Sequence, residues 1–154
     1  MLFFLISDKV TDIKKYEDSN MMKRIQTGIA MLALVVNVNA ETSPETVAGT
    51  TLIDTPTAHQ LFKDGVLFVD VRRQSDWDAG RISSALHLEL KSNYTEEELL
   101  KEAKKDEKIV IYCNGVECLR SSAASVKAVG WGFTNIQYYR DGFPSWQRAG
   151  YPVE

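Results

Sequence analysis

The segment 108–130 constrains the fold of this chain more than any other part of the sequence. It opens with a β-branched and aromatic run, 109–112, which is typical of a strand buried inside a parallel sheet. Cys113 follows this run directly, and Asn114 and Gly115 then form a turn signal. The sequence therefore predicts a thiol at the point where a buried strand ends.

A helix is predicted to follow this loop. Ser121 and Ser122 are candidates for its N-cap, because a serine hydroxyl can accept a hydrogen bond from an unpaired N–H group of the first turn. Leu119, Ala123 and Val126 recur at the spacing of one helical face, which we expect to be apolar and buried.

Cys113 is the candidate nucleophile of this unit. Unpaired N–H groups and the helix dipole place positive potential at the start of a helix, and both stabilise a thiolate, which is the reactive form of cysteine. Arg120 would add a nearby positive charge. The alternative is a buried structural thiol, but the position at a strand end favours the reactive role.

Strands and helices are predicted to alternate along the rest of the chain. The further strands are expected at 50–53, 66–69, 85–88 and 135–139, and the further helices at 55–64, 95–105 and 142–149. Thr55 and Thr95 are the expected caps, and Leu99, Leu100 and Ala103 the expected inward residues. The alternation predicts an α/β fold, a five-stranded mainly parallel sheet with helices on both faces. Sites in such sheets lie at the carboxyl ends of the strands, where Asp70, Cys113 and Arg140 fall.

The first 40 residues carry the pattern of an export signal. Residues 21–24 are basic at their end, 25–38 are mostly apolar, and 38–40 resemble a small-residue cleavage site. We therefore interpret 21–40 as a signal peptide and 1–20 as an extension upstream of the true translation start. The alternative is a membrane anchor, but the apolar stretch is short, so we expect cleavage and no stable membrane insertion afterwards.

Export, to the periplasm, would place the mature chain in an oxidising compartment where its two cysteines can pair. Residues 41–49 are polar with Pro and Gly and are predicted to be a flexible leader, and 50–154 are predicted to be one domain. The formal net charge of −3 does not indicate the basic surface that nucleic-acid binding requires.

Several fragments resemble the rhodanese domain, a single-domain sulfurtransferase module, over nearly all of 50–153. Each fragment is short, but their order and spacing are specific to the family. They are 69–72 (VDVR), Trp77 with 80–82 (GRI), 111–113 (IYC), 120–121 (RS), 140–146 (RDGFPSW) and 150–153 (GYPV).

Two positions depart from the common form of this family. Arg81 stands where the family usually has His, and Arg120 lies seven residues after Cys113 instead of five. The longer loop includes Cys118 and resembles a C-N-G-x-x-C variant of some exported rhodanese-like proteins. It departs from the C-x5-R spacing of phosphatase-like relatives, so we do not expect a phosphatase or an arsenate reductase.

The resemblance implies that Cys113 takes sulfur from a sulfane donor as a persulfide and passes it to a second nucleophile, without a cofactor. Arg120 would pair with an anionic donor, whereas the acidic Glu117 disfavours thiosulfate, so thiosulfate and persulfidated thiols both remain open as donors. By resemblance, Asp70 and Arg72 orient the loop and line its mouth. The loop residues expected to surround the substrate are Asn114, Gly115, Val116, Glu117, Leu119 and Ser121.

Cys118 has three interpretations. It is a resolving thiol that attacks the Cys113 persulfide and releases sulfide, a partner in a permanent disulfide, or a residue that packs under the loop. The redox-linked pair is favoured. A metal site is not expected, because His59 and His87 are the only histidines and neither has the spacing of a ligand.

Three functions follow from these alternatives. The first is a sulfurtransferase that acts through Cys113 on a small sulfur compound or a persulfidated thiol. The second is a thiol–disulfide redox protein that uses Cys113 and Cys118 with a protein partner. The third is a non-catalytic sulfur carrier or binding module on the same scaffold.

Overall fold

The computed structural model describes residues 41–154, so the predicted extension 1–20 and signal peptide 21–40 lie outside the described residues. Five strands form one sheet. They are β1 (Thr50–Leu52), β2 (Leu67–Asp70), β3 (Leu86–His87), β4 (Ile109–Tyr112) and β5 (Ile136–Tyr139).

The sheet has the strand order β1-β5-β4-β2-β3, and every neighbouring pair is parallel. This confirms the predicted fold class. The central strands β4 and β2 are flanked on both sides, which explains why 109–112 is a continuous apolar run. The register pairs Asp70 with Tyr112, so Cys113 begins its loop beside the end of β2.

Residues 41–154 contain five helices, of which four connect successive strands and the last follows β5. They are α1 (Thr55–Lys63), α2 (Gln74–Asp78), α3 (Glu96–Glu102), α4 (Arg120–Gly130) and α5 (Gly142–Arg148). Thr95 caps α3 as predicted, through its hydroxyl and the N–H of Glu98. The predicted cap of α1 was wrong, because Asp54 accepts the hydrogen bond from Thr57 and Thr55 is already helical.

The core has two parts, one on each face of the sheet. On one face α3 and α4 cover Val69, Ile109 and Ile111, together with Cys113. On the other face α1 and α5 cover an aromatic cluster that includes Phe68, Tyr112, Phe143 and Trp146. The catalytic candidate therefore belongs to the aliphatic side of the sheet.

The predicted apolar face of α4 was wrong. Leu119 is 41% exposed and Val126 is 60% exposed, and Ala123 is also exposed. The buried face is made of small residues, Ser121, Ser122, Ala124, Ser125 and Ala128. Small side chains let the helix backbone approach the sheet closely, whereas Val126 faces outward and Val129 packs at the margin of the core.

The predicted caps of α4 were also wrong, because the helix begins one residue earlier, at Arg120, and has no side-chain cap. Ser122 instead donates its hydroxyl hydrogen bond back to the carbonyl of Leu119 at 2.9 Å. Leu100, expected to point inward from α3, is 45% exposed, whereas Leu99 and Ala103 are buried as predicted.

Residues 41–49, predicted to be a flexible leader, pack against the domain. Val47 and Ser43 are both buried. Ser43 and Pro44 are hydrogen-bonded to residues about 70 to 100 positions away in the chain. None of the helices within 41–154 is both long enough and apolar enough to cross a membrane.

Candidate active-site loop

The loop 113–119 leaves β4 at the carboxyl edge of the sheet and returns the chain into α4. Its two cysteines, Cys113 and Cys118, are joined as a disulfide, with their Cα atoms 6.4 Å apart. The structure thus places both predicted thiols in one site and in the bridged state. Cys113 is fully buried, whereas Cys118 is partly exposed and packs against the edge of the core.

The sulfur of Cys113 has two polar neighbours. The hydroxyl of Ser121 lies 3.2 Å from it, and the carbonyl oxygen of Cys118 lies at the same distance. Within the described residues, no backbone N–H donates a hydrogen bond to this sulfur, so the N–H groups at the start of α4 that were expected to stabilise a thiolate do not contact it in the bridged loop. Ser121 is the one hydroxyl placed to donate to a Cys113 thiolate.

Two glycines let the loop fit against the start of α5. Gly115 has a φ of 93°, in the left-handed region that favours glycine. Gly142 has a φ of 61°, and a Cβ atom there would overlap the carbonyl of Cys113. The N–H of Phe143 donates to that same carbonyl at 2.9 Å. Close backbone packing therefore fixes the first residue of the loop.

A buried ion pair supports the loop from the end of β2. Arg72 Nη2 lies 2.6 Å from Asp70 Oδ2, and both side chains are almost completely buried. Arg72 also donates to the carbonyl of Gly80 at 2.7 Å and to Asn114 Oδ1 at 3.2 Å. Its guanidinium lies 4.4 Å from the ring centre of Phe143. The pair thus reaches the loop through Asn114.

Tyr112 links the same region to the segment after α2. Its phenol oxygen accepts a hydrogen bond from the N–H of Ile82 at 3.3 Å. Burial raises the pKa of Tyr112 well above its ordinary value, and the nearby carboxylate of Asp70 raises it further. The phenol therefore remains neutral.

Arg120, the expected partner of an anionic donor, is already paired. Its Nη1 lies 3.4 Å from Glu89 Oε1 and 3.5 Å from the carbonyl oxygen of Val71. The two side chains are only 15% and 21% exposed. Sequence reasoning missed Glu89, although its position just after β3 at the carboxyl edge is a signal that could have indicated it.

The remaining loop residues face a shallow cavity of about 310 Å³ between the loop and α5. Its walls carry both signs of charge. Glu117 and Val116 are exposed there, and Leu119, the last residue of the loop, is exposed outside the cavity. The lining residues are Asn114, Gly115, Val116, Glu117, Asp141, Pro144, Ser145 and Arg148.

The histidines lie away from the bridge. His59, on α1, stacks on Tyr151 with ring centres 3.7 Å apart. His87 stacks on Trp77 and contacts the carbonyl oxygen of Arg72. In the part of the chain that the structure describes, no three His, Cys, Asp or Glu residues are grouped so as to hold a metal ion.

Comparisons with known proteins agree on one family. Residues 54–149 match the model of the rhodanese-like domain. Thiosulfate sulfurtransferase GlpE of Pseudomonas syringae is 31% identical over 97 residues, which are 63% of this chain and 86% of that protein. GlpE of Pseudomonas putida is 33% identical over 92 residues, 60% of this chain and 78% of that protein.

A solved structure shows the same fold. A protein from Bacillus halodurans superposes with a TM-score of 0.60 at 23% identity, over 68% of this chain and 76% of that one. At this identity the likeness concerns the fold alone, which is the parallel sheet and the helices described above.

Proposed function

Because the chain belongs to the rhodanese-like domain family, we propose that it is a sulfurtransferase whose Cys113 accepts sulfur as a persulfide and passes it to a thiol or to a cyanide-type acceptor. The observation that carries this proposal is the position of Cys113 at the carboxyl end of β4, before the start of α4 and within reach of the Ser121 hydroxyl. Its relatives named thiosulfate sulfurtransferase support the reaction class.

The proposed reaction has two displacements. The Cys113 thiolate attacks the outer sulfur of the donor, the S–S bond of the donor breaks, and sulfite or a thiolate leaves with the bonding pair. An acceptor thiolate or cyanide then attacks the outer sulfur of the Cys113 persulfide and releases the Cys113 thiolate. No net oxidation occurs, and kinetics of the ping-pong type are expected.

The disulfide adds a branch to this cycle. The Cys118 thiolate can attack the inner sulfur of the persulfide, form the Cys113–Cys118 bond and expel hydrosulfide. Two equivalents of an external thiol then reduce the bridge and leave as their own disulfide. Since the bridged Cys113 is neither free nor exposed, the enzyme must be reduced before it can accept sulfur.

The charges around the loop favour a persulfidated thiol over thiosulfate as the donor. Glu89 neutralises Arg120, and Glu117 adds an exposed negative charge on the loop. The carboxylates of Glu89 and Glu117 repel thiosulfate, which is a dianion, more strongly than they repel a donor that carries less negative charge. Thiosulfate is therefore proposed as a poor donor with a high KM.

A second candidate function is thiol–disulfide exchange with a protein partner. The specific observation in its favour is the Cys113–Cys118 bridge, whose Cys118 end is partly exposed and is flanked by the exposed apolar residues Val116 and Leu119. This function needs both cysteines, whereas sulfur transfer needs Cys113 alone.

We further propose that the chain is cleaved after Ala40 and works in the periplasm, where an oxidising environment would form the bridge. Intact-mass measurement of protein recovered from the exported fraction tests this. A mass that corresponds to a chain starting at Glu41 is the expected result. A mass that retains residues 21–40 would contradict it.

The central experiment compares Cys113→Ser and Cys118→Ser with the wild type, each assayed for transfer of sulfane sulfur to cyanide after reduction. Cys113→Ser should lose activity by at least about a thousandfold, because the nucleophile is removed. Cys118→Ser should retain transfer and become insensitive to omission of the reductant.

The two functions then separate clearly. Full activity in Cys113→Ser would overturn the sulfurtransferase mechanism. Loss of transfer in both variants, with disulfide exchange present in the wild type alone, would favour the redox protein. A mass increase of one sulfur on reduced Cys118→Ser treated with donor, absent from Cys113→Ser, is the direct sign of the persulfide, because Cys118 cannot then expel the added sulfur.

A further inference from the structure

The first residues of the described chain, 41–49, are hydrogen-bonded to the active-site loop 113–119. The N–H of Ser43 donates to the carbonyl of Val116 at 2.7 Å, and its hydroxyl donates to the same carbonyl at 2.8 Å. Val116 lies between the two cysteines, 73 residues away in sequence. Ser43 is only 2% exposed, so water competes little for these bonds.

Ser43 is itself held from the end of β5. Arg140 donates to its carbonyl oxygen through Nη2 at 2.7 Å and through Nε at 3.1 Å. Arg140 Nε also lies 3.2 Å from the Ser43 hydroxyl, and Tyr138 donates to the next carbonyl, that of Pro44. These bonds place Ser43 on a rigid strand end instead of on a mobile terminus.

The bridged loop must move for any chemistry at Cys113, since that residue is fully buried when joined to Cys118. Val116 occupies the middle of the segment that has to move. A hydrogen bond that the Val116 carbonyl accepts in the bridged loop and loses in the open loop therefore stabilises the bridged form.

We infer that Ser43, held by Arg140, is a positioning residue that fastens the Val116 carbonyl and favours the bridged loop over the reduced, open one. This inference rests on the proposed reversible pairing of Cys113 and Cys118. It assigns the segment 41–49 a role in setting how readily the site is reduced.

The test is the equilibrium of the full chain with glutathione, in which one protein disulfide and two glutathione thiols give one protein dithiol and one glutathione disulfide. Trapping of free thiols and mass spectrometry measure the two protein forms. Ser43→Ala should shift this equilibrium about threefold to tenfold toward the dithiol, as expected for the loss of one buried hydrogen bond made in one state only.

Arg140→Gln should shift the equilibrium in the same direction, and the double variant should shift it no further than the sum of the two. Thr42→Ala is the matched control, because this neighbouring residue is exposed. It should leave the equilibrium unchanged. Circular dichroism and the free energy of unfolding of the reduced proteins check that the variants are folded.

The outcomes distinguish this inference from the function on which it rests. If the bridge of the wild type does not exchange with glutathione, the proposed reversible pairing of Cys113 and Cys118 is wrong. A wild type that exchanges, with Ser43→Ala and Thr42→Ala giving the same equilibrium, would overturn the role of Ser43 alone. An equal loss of stability in the oxidised and reduced forms of Ser43→Ala would also overturn it, since that is a purely structural effect.

Discussion

Strands β2 and β4 end side by side at one edge of the sheet, and the residues that follow them differ in kind. The last residue of β2, Asp70, forms a short buried ion pair with Arg72 just beyond the strand, and several further hydrogen bonds accompany it. After β4, Cys113 enters a loop whose conformation depends on a bond that thiols can break.

The end of β2 therefore supports the loop structurally, whereas the proposed chemistry takes place in the loop after β4. The charges at the end of β2 are satisfied within the protein, so that end stays in one arrangement. The loop after β4 can be oxidised, with Cys113 bonded to Cys118, or reduced. Asn114 accepts a hydrogen bond from Arg72 and so connects this loop to the end of β2. The predictions below test this separation, beginning with the largest expected effect on stability.

Arg72→Met should lower the free energy of unfolding by about 3 to 5 kcal/mol, because it leaves the buried carboxylate of Asp70 without its partner. Urea unfolding of the oxidised proteins measures this. Arg148→Met is the matched control, since Arg148 is exposed, and it should change stability by less than about 0.5 kcal/mol. If the two substitutions lower the free energy of unfolding equally, the ion pair at the end of β2 does not stabilise the protein as proposed.

Cys118→Ser should lower the free energy of unfolding by about 2 kcal/mol under oxidising conditions, the entropic contribution expected for so short a loop. In excess reductant the variant and the wild type should have the same stability. A loss that persists in reductant would show that Cys118 stabilises the core by packing, which is the structural alternative.

Tyr112→Phe should cost about 1 to 2 kcal/mol at pH 8, because the N–H of Ile82 loses its acceptor in the interior. The folded state raises the pKa of this phenol above its ordinary value of 10.0, so the unfolded chain ionises first and the wild type loses stability as the pH rises above that value. The variant should lose less over the same rise.

Unfolding in urea at pH 8 and at pH 10.5 compares the two proteins. Tyr151→Phe is the control, because the Tyr151 ring stacks on His59 and lies only partly buried. A cost in Tyr112→Phe that does not diminish at the higher pH would contradict the assignment.

Glu89→Gln should have the smallest effect. Freeing Arg120 from its carboxylate partner should lower the KM for thiosulfate about threefold with little change in kcat, and added salt should reduce this gain. Glu98→Gln, on α3, is the control, because this carboxylate pairs with Lys101 and not with Arg120. An unchanged KM for thiosulfate would show that Glu89 does not set donor preference.

Much of the sheet could be predicted from the sequence. Buried strands need apolar residues at every position, so 109–112 was located to the residue, and the neighbouring strands within one or two residues. The alternation of strands and helices also indicated that Asp70 and Cys113 lie at one edge, since parallel strands end together there, and the family resemblance added Arg72.

The inward face of α4 could not be predicted in the same way. Hydrophobic periodicity selected Leu119 and Val126, but the helix packs through Ser and Ala, because close approach to the sheet excludes larger side chains. The partners of the site were missed for a different reason. Glu89 and Ser43 lie 31 and 73 residues from Arg120 and Val116, and such contacts leave no local pattern.

The sequence by itself determined the family, the five strands and four of the five helices within 41–154, because these depend on local composition and on short motifs, whereas α2 lies in a polar segment where no helix was predicted. Only the tertiary structure decided which side chains meet at the edge of the sheet. It paired Arg120 with Glu89 and Ser43 with Val116, because the fold brings together segments that are distant in the sequence, and it closed the bridge between Cys113 and Cys118 through the local course of their loop.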